Sequence, residues 1–396
     1  MQLLLTLFPS LTAFFASMIS DPAPAANITA YAPASFVHPG VLLNTAQLNF
    51  IRSKVNAGAQ PWSGAYSALL KEQLLSQSRN PTPRSVVNCG RSSNPDNGCT
   101  NERQDALAAY GNALAWYVSQ DSKYAKKAIS YFNAWSGVIT DHTGPNAPLQ
   151  TAWSGTSWAR AAEIIRHTYS GWASSDITKF ESMLRNVYLS AIINGDPRTG
   201  NWDLVMMEAS QGIAVFLNDK ASYDKAMNRY LGRVPAFVYL ETDSSYPKAA
   251  PGSPQTTKAQ IISFWHDQST FVNGIAQETC RDFVHTGYSI ASIGHVAETS
   301  RIQGTDLYTG EVGTRLRHAL GFHSLYQLGA TVPSWLCKGK LILGLGPVTE
   351  IGFNAMNTRL GYGMANTQIL TQNQRPAGTN WLFLGWETLT HAGNTA

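Results

Sequence analysis

Apolar residues recur at helical spacing along most of this chain. In the segment 101–118, Leu107, Tyr110, Leu114 and Tyr117 fall on one face, and the segment 122–135 repeats that spacing. Further segments form predicted helix pairs joined by short links, namely 153–169 with 175–192, 203–217 with 223–239, and 274–302 with 306–328. Because the pairs follow no fixed residue period, the pattern predicts stacked helical hairpins, arranged as a solenoid or as a closed, two-layered toroid.

Two stretches interrupt the helical pattern. Residues 240–268 are rich in Ser, Pro and Gly and predict a long loop, which in a compact domain is often functional. Beyond residue 331, Gly, Pro and Asn are spread throughout, and no clear element is predicted before 381–390. Since no linker divides the chain, we expect one all-α-dominated domain over residues 27–396.

The first 26 residues have the composition of a secretory signal. The stretch Leu3 to Phe15 is largely apolar, and small residues follow at Ala23, Ala25 and Ala26. The segment contains no Lys or Arg, so its only positive charge is the amino terminus. We expect cleavage after Ala26, or alternatively after Ser20. No later run approaches about 18 apolar residues, so a secreted, extracellular protein without a membrane anchor is expected.

The composition suits a protein that handles carbohydrate. Charged residues are 14% of the chain, against a usual share of about 25%. The chain has 11 Trp and 16 Tyr, whose rings can stack on sugar faces while their polar edges tolerate water. A large aromatic core is the alternative explanation. A net charge of +4 is too small to identify a partner, and without a Lys/Arg cluster we expect no nucleic acid.

The four cysteines indicate two disulfide bonds and an oxidising compartment. Cys89 and Cys99 flank a turn-rich loop and form the predicted local pair, which leaves Cys280 to pair with Cys337. A metal site is the alternative, but no Cys-x-x-Cys spacing supports it, and no His-Glu-x-x-His or calcium-loop pattern occurs. We therefore expect neither a metal nor a cofactor.

The segment from Gln277 to Tyr288 carries the densest reactive chemistry. Arg281, His285 and Tyr288 are spaced i, i+4 and i+7 in a predicted helix, so one helical face would carry all three. A cation, a group that titrates near neutrality and a phenol can together hold a carboxylate, remove a proton and return one. The combination suits chemistry on an acidic sugar, although ordinary surface ion pairs would also explain Arg281 and His285.

Polar and aromatic residues elsewhere are further candidates for substrate contact. Asn201 lies at the predicted start of a helix, where it could cap the helix or donate to a carboxylate. Its neighbour Trp202 could stack on a sugar or belong to the core. Arg160 could hold a carboxylate with its planar fork, or form a helix pair with Glu163. The remaining candidate substrate contacts are Trp158, His266 and Gln277.

Several of these motifs together resemble the alginate lyase domain of secreted bacterial and fungal polysaccharide lyases. The most specific part of the resemblance is the stretch 277–308, supported by Gly200-Asn201-Trp202 and Asn133-Ala134-Trp135, and the likeness extends over roughly residues 40–390. It implies an (α/α) toroid, or incomplete α/α barrel, with a substrate cleft. It also implies cleavage of a uronic-acid polymer, of the alginate or glucuronan type, by β-elimination. The expected partner is this acidic polysaccharide, and the expected state is a monomer.

The resemblance also assigns roles to individual residues. Alginate lyases of this type use an adjacent Asn-His pair, together with an Arg and a Tyr seven residues apart. Asn201, Arg281 and Tyr288 match that pattern, but Trp202 occupies the place of the histidine. Either His285 or His266 has then taken over the histidine's task, or the substrate differs.

The expected mechanism follows from these assignments. Asn201, with His285 as its partner, would neutralise the substrate carboxylate and so acidify the neighbouring C5 proton. Tyr288 would protonate the departing O4 oxygen and could also be the base, if Arg281 stabilises its phenolate. If His285 is the base instead, activity should follow the titration of a histidine, ordinarily near about pH 6.5.

Two other classes of function remain open at the level of sequence. One is a glycoside hydrolase on the same toroid, with a carboxylate pair drawn first from Glu208, Glu278 and Asp282. The other is a protein that binds acidic polysaccharide without cleaving it.

Overall fold

Helices dominate the computed structural model, which describes residues 29–396; the predicted signal segment 1–26 lies outside the described residues. Along the chain the helices are α1 (Thr45–Asn56), α2 (Trp62–Lys71), α3 (Cys99–Ser119), α4 (Ser122–Ser136), α5 (Ala147–Thr168), α6 (Ser174–Met183), α7 (Ser190–Ile192), α8 (Gly200–Phe216), α9 (Lys220–Phe237), α10 (Lys258–Phe264), α11 (Phe283–Ile302), α12 (Glu311–Gln327), α13 (Glu350–Phe353), α14 (Ala365–Asn373) and α15 (Glu387–His391). Two π-helical segments, Leu184–Leu189 and Asn354–Arg359, continue α6 and α13.

The long helices form two layers. α3, α5, α8 and α11 pack side by side in that order, and each is buried on almost every face. α4, α6, α9 and α12 lie outside them and bury only one stripe of residues. A helix that is apolar all round is stable only when neighbours cover it on every side, whereas an amphipathic helix can face water. This arrangement is an (α/α) toroid of helical hairpins, which confirms the predicted fold class.

A small sheet precedes α3. Strands β1 (Val86–Arg91) and β2 (Asn94–Asn97) form an antiparallel hairpin, and β3 (Asp141–Thr143) runs parallel to β1 on its other side. The sequence did not predict these strands, because they are short and carry polar residues without clear alternation. The turn-rich loop between the first two cysteines is therefore a β-hairpin that stands at the beginning of α3.

The helices differ from the prediction at several places, among them α5, which begins at Ala147 and not at 153, and α10, which lies within the predicted loop 240–268. The predicted helix 274–302 begins only at Phe283, because the Asp282 side chain caps it by accepting a hydrogen bond from the His285 backbone N–H at 2.8 Å. Arg281 therefore lies in the preceding turn, not on the helical face with His285 and Tyr288. Beyond residue 331, helices α13 and α14 occupy a region where no element was predicted, because glycines and asparagines hide their short apolar pattern.

Both predicted disulfide bonds are present. Cys89 joins Cys99 across the β-hairpin, and Cys280 joins Cys337, which ties the turn before α11 to the C-terminal part of the chain. Among residues 29–396, no helix combines the length and the apolar character that crossing a membrane requires.

Candidate active site

A cleft of about 480 Å³ opens where three inner helices begin. Residues at or near the N-terminal ends of α5, α8 and α11 line it, together with the end of β1. Because the N-terminus of each helix carries a partial positive charge, three such ends around one cleft favour an anionic ligand. The lining residues are Arg91, Ser92, Pro145, Asn146, Leu149, Trp153, Arg198, Thr199, Trp202, Arg281, Val284, His285, Tyr288 and Leu382.

Arg281 and His285 are in direct contact in this cleft, although Arg281 lies outside the helix. The Nη2 of Arg281 lies 2.9 Å from Nε2 of His285, and Nδ1 of His285 lies 2.8 Å from both carboxylate oxygens of Asp282. A guanidinium can only donate, so Nε2 accepts and Nδ1–H donates to Asp282. The contacts therefore select the neutral imidazole whose lone pair is on Nε2, with both side chains about one third exposed.

Glu278 holds Arg281 from the other side. Its fully buried carboxylate accepts from Nη1 of Arg281 at 2.7 Å and from Nδ2 of Asn201 at 2.7 and 2.8 Å. The amide donors of Asn201 are thus directed at Glu278, and its side chain lies behind the cleft wall, 2% exposed. The predicted role of Asn201 as a direct neutraliser of the substrate carboxylate does not fit this placement.

Tyr288 lies one helical turn beyond His285, and the two rings meet edge to face with centroids 5.9 Å apart. Burial raises the pKa of the Tyr288 phenol above its ordinary value, and the negative charge of Asp282 raises it further, against the opposing charge of Arg103. The sequence suggested that Arg281 would lower this pKa. The Arg281 guanidinium is instead paired with Glu278 and His285, and the phenol stays protonated at neutral pH.

Trp202 lines the cleft, next to an arginine that the sequence did not single out. The guanidinium of Arg198 lies over the indole of Trp202, with its carbon 3.8 Å from the ring centroid. Arg198, Arg91, Asn146 and Trp153 were all missed, because they come from different loops and helix ends that only the fold brings together. For Arg198 the available signal was its position just ahead of the Gly200-Asn201-Trp202 motif.

Two of the predicted substrate contacts lie in the interior instead. Arg160 is 2% exposed, donates to the Phe383 carbonyl and pairs with Glu208, so it cannot reach a substrate in the cleft. Trp158 is fully buried, and its indole N–H donates to the Tyr188 hydroxyl at 3.1 Å. Both belong to the core of the toroid, because inner helices bury polar as well as apolar faces.

The other two predicted contacts lie near the cleft but not on its lining. Gln277 is buried and braces two elements, since it accepts from the Gly200 N–H at 3.2 Å and donates to the Phe264 carbonyl at 2.8 Å. His266 lies exposed in the turn after α10. Neither His266 nor Gln277 touches the Arg281–His285 pair through a hydrogen bond in the described part of the chain.

Comparisons with known proteins agree with this architecture. Residues 58–237 match the model of the family described as alginate lyase. That range includes Asn201 and Trp202 and ends before the segment 277–308. No curated protein matches the chain.

Solved structures share the fold across nearly the whole chain. Alginate lyase A1-III from Sphingomonas species A1 superposes with a TM-score of 0.62 at 13% identity, over 90% of this chain and 97% of that one. A histidine-to-alanine variant of alginate lyase A1-III in complex with a tetrasaccharide gives 0.62 at 14% identity, with the same coverage. An alginate lyase from Bacteroides ovatus gives 0.54 at 13% identity, over 90% and 100%.

Proposed function

We propose that this chain, a polysaccharide lyase that belongs to the alginate lyase domain family over residues 58–237, cleaves a uronic-acid polymer by β-elimination in the Arg281–Tyr288 cleft. The polymer is of the alginate or glucuronan type. The two disulfide bonds are compatible with an oxidising environment, and we include secretion in the proposal.

The observation that carries the proposal is the charge of the cleft lining. Among the described residues, three arginines line the cleft and no Asp or Glu does. A glycoside hydrolase needs two carboxyl groups facing its substrate. Here Glu278 is fully buried against Arg281, Asp282 is paired with His285, and Glu208 is paired with Arg160 in the core. Their positions argue against the hydrolase alternative and favour a polyanionic substrate.

His285 is the proposed base. Its Nε2 carries the lone pair, while Asp282 accepts from Nδ1–H and would stabilise the imidazolium formed when Nε2 takes the C5 proton. In the free protein Arg281 donates to that lone pair. A substrate carboxylate that competes for the guanidinium would release Nε2 and be neutralised in the same event, so binding itself would prepare the base.

Tyr288 is the proposed acid. Its pKa is raised by burial and by Asp282, so the phenol holds its proton at neutral pH, as an acid that protonates O4 must. In the elimination, the C5 proton passes to His285 and its electron pair forms the C4–C5 double bond. The C4–O4 bond breaks, and O4 leaves with the Tyr288 proton.

The function is tested by incubating the protein with alginate, with glucuronan and with a hyaluronan-type polymer. Two signals are followed together, the absorbance of the unsaturated uronate and the release of reducing ends. We expect both to rise in parallel on alginate or glucuronan. New reducing ends without the chromophore would indicate a hydrolase. The absence of both signals would indicate a protein that binds the polymer without cleaving it.

A further inference from the structure

Three groups hold the guanidinium of Arg198, a residue of the cleft lining. Asp196 accepts from Nε at 2.9 and 3.0 Å and from Nη2 at 2.7 Å. The Pro145 carbonyl accepts from Nη1 at 3.2 Å, and the Trp202 indole lies against the flat face. Long side chains normally lose rotamer freedom when they bind a ligand, so an arginine fixed in advance binds at a lower entropic cost.

These contacts leave part of the guanidinium open. Arginine has five N–H donors, and the three contacts use one each on Nε, Nη1 and Nη2. One donor on Nη1 and one on Nη2 thus have no partner within residues 29–396, and the side chain is 51% exposed. A pair of N–H groups on neighbouring nitrogens matches the two oxygens of a carboxylate.

The two neighbouring residues to which the resemblance assigns carboxylate binding do not offer a donor to the cleft. Trp202 stands where the resemblance requires a histidine, and the amide of Asn201 donates to Glu278 instead of to the cleft. Arg198 belongs to the same short segment and is held by that same Trp202. The tryptophan that replaces the expected histidine therefore packs against the guanidinium of an arginine that lines the cleft.

We propose that Arg198 binds a carboxylate of the uronic-acid substrate and makes the protein select polymers with free, not esterified, carboxylates. This inference rests on the proposed function, because it names the group through which the cleft recognises its substrate. Arg198 is a specificity-determining residue, while proton transfer is left to His285 and Tyr288.

The test measures binding of saturated oligouronates, as the free acid and as the methyl ester, to the wild-type protein and to Arg198→Gln. For the free acid we expect Kd and KM to rise by about 10- to 100-fold, as for the loss of a hydrogen bond to a charged group. For the ester we expect little change, since the interaction is already lost. Arg198→Lys keeps the positive charge but lacks the planar guanidinium, so its affinity for the free acid should lie between those of Arg198→Gln and the wild type.

The matched control is Arg185→Gln. Arg185 is equally exposed and is paired with Asp219 at 3.1 Å, but it does not line the cleft, so its variant should bind both ligands like the wild type. An Arg198→Gln protein that binds acid and ester as the wild type does, or that loses both equally, overturns the inference. If the wild type yields no unsaturated product but its acid preference depends on Arg198, the lyase proposal fails and this inference stands.

Discussion

Two clusters among the described residues each bring an arginine, a histidine and a glutamate together, one at the cleft and one in the core. In the cleft, Arg281 lies 2.9 Å from His285 and 2.7 Å from Glu278. In the core, Arg160 lies 2.8 Å from His295 and pairs with Glu208, and His295 also lies 2.8 Å from Glu387. The chemical groups are nearly the same, so their identity cannot be what distinguishes a reactive site from a structural one.

Access to solvent separates the two clusters. The side chains of Arg160 and His295 are 2% and 1% exposed, whereas those of Arg281 and His285 are 35% and 32% exposed. Burial disfavours a charged His295, but Glu208 and Glu387 outweigh it and raise its pKa, so the interior cluster is a closed set of ion pairs. The guanidinium of Arg281 and the imidazole of His285, by contrast, are accessible to a ligand in the cleft.

The largest effect should come from Tyr288→Phe. This change removes the proposed acid without disturbing the packing, so kcat should fall by about 10²–10⁴-fold with little change in Tm. The measurement is the rate of unsaturated product formation, next to a thermal unfolding curve. Tyr326→Phe, on α12 and away from the cleft lining, is the control. Near-normal turnover by Tyr288→Phe would remove Tyr288 from the mechanism.

Exchanging the two arginines for methionine tests the comparison itself. Arg160→Met removes the guanidinium from the buried Glu208, which keeps only His295 as a basic partner, and should cost about 3–5 kcal/mol of unfolding free energy in a denaturant titration. Arg281→Met should lose activity, and its free energy of unfolding should fall as well, because the buried Glu278 then keeps only the neutral N–H donors of Asn201. If Arg160→Met unfolds like the wild type, the interior cluster does not stabilise the fold.

Asp282→Asn should separate capping from catalysis. Asn caps helices about as well as Asp, so α11 should keep its stability within about 1 kcal/mol. The charge that would stabilise the proposed His285 imidazolium is lost, however, and kcat should fall about tenfold or more. Asp219→Asn caps α9 outside the cleft lining and serves as the control, with no loss of activity expected.

The smallest effect is a shift in the pH profile. A tyrosine acid works while it is protonated, and a raised pKa keeps it protonated to higher pH. The alkaline loss of kcat/KM should therefore occur above the ordinary tyrosine value of 10.0. Asp282→Asn should move it downward, because the Asp282 charge contributes to the rise. An alkaline limb below 10.0 that vanishes in Tyr288→Phe would contradict this assignment.

Much of the fold and part of the site could be predicted from the chain. Helical periodicity located the hairpins of the toroid, because the apolar stripe of an outer helix is a local pattern. Cysteine spacing predicted both disulfide bonds, and the three reactive side chains singled out in the segment 277–288, those of Arg281, His285 and Tyr288, all line the cleft. The start of α11 was not predicted. Asp282 caps the helix after Arg281, and a cap depends on backbone geometry that the spacing of apolar residues does not report.

By itself, the sequence determined which side chains have reactive chemistry and which segments are helical, since both are local properties. It made Arg281 a catalytic candidate and Arg160 a candidate substrate contact, and it gave Asn201 the task of meeting a carboxylate. Only the tertiary structure decided three further points. Arg160 is buried in the core, Asn201 donates to Glu278, and Arg198 packs on Trp202 while its side chain remains exposed. The physical reason is that exposure and pairing depend on residues far apart in the chain, which meet only when the inner helices pack.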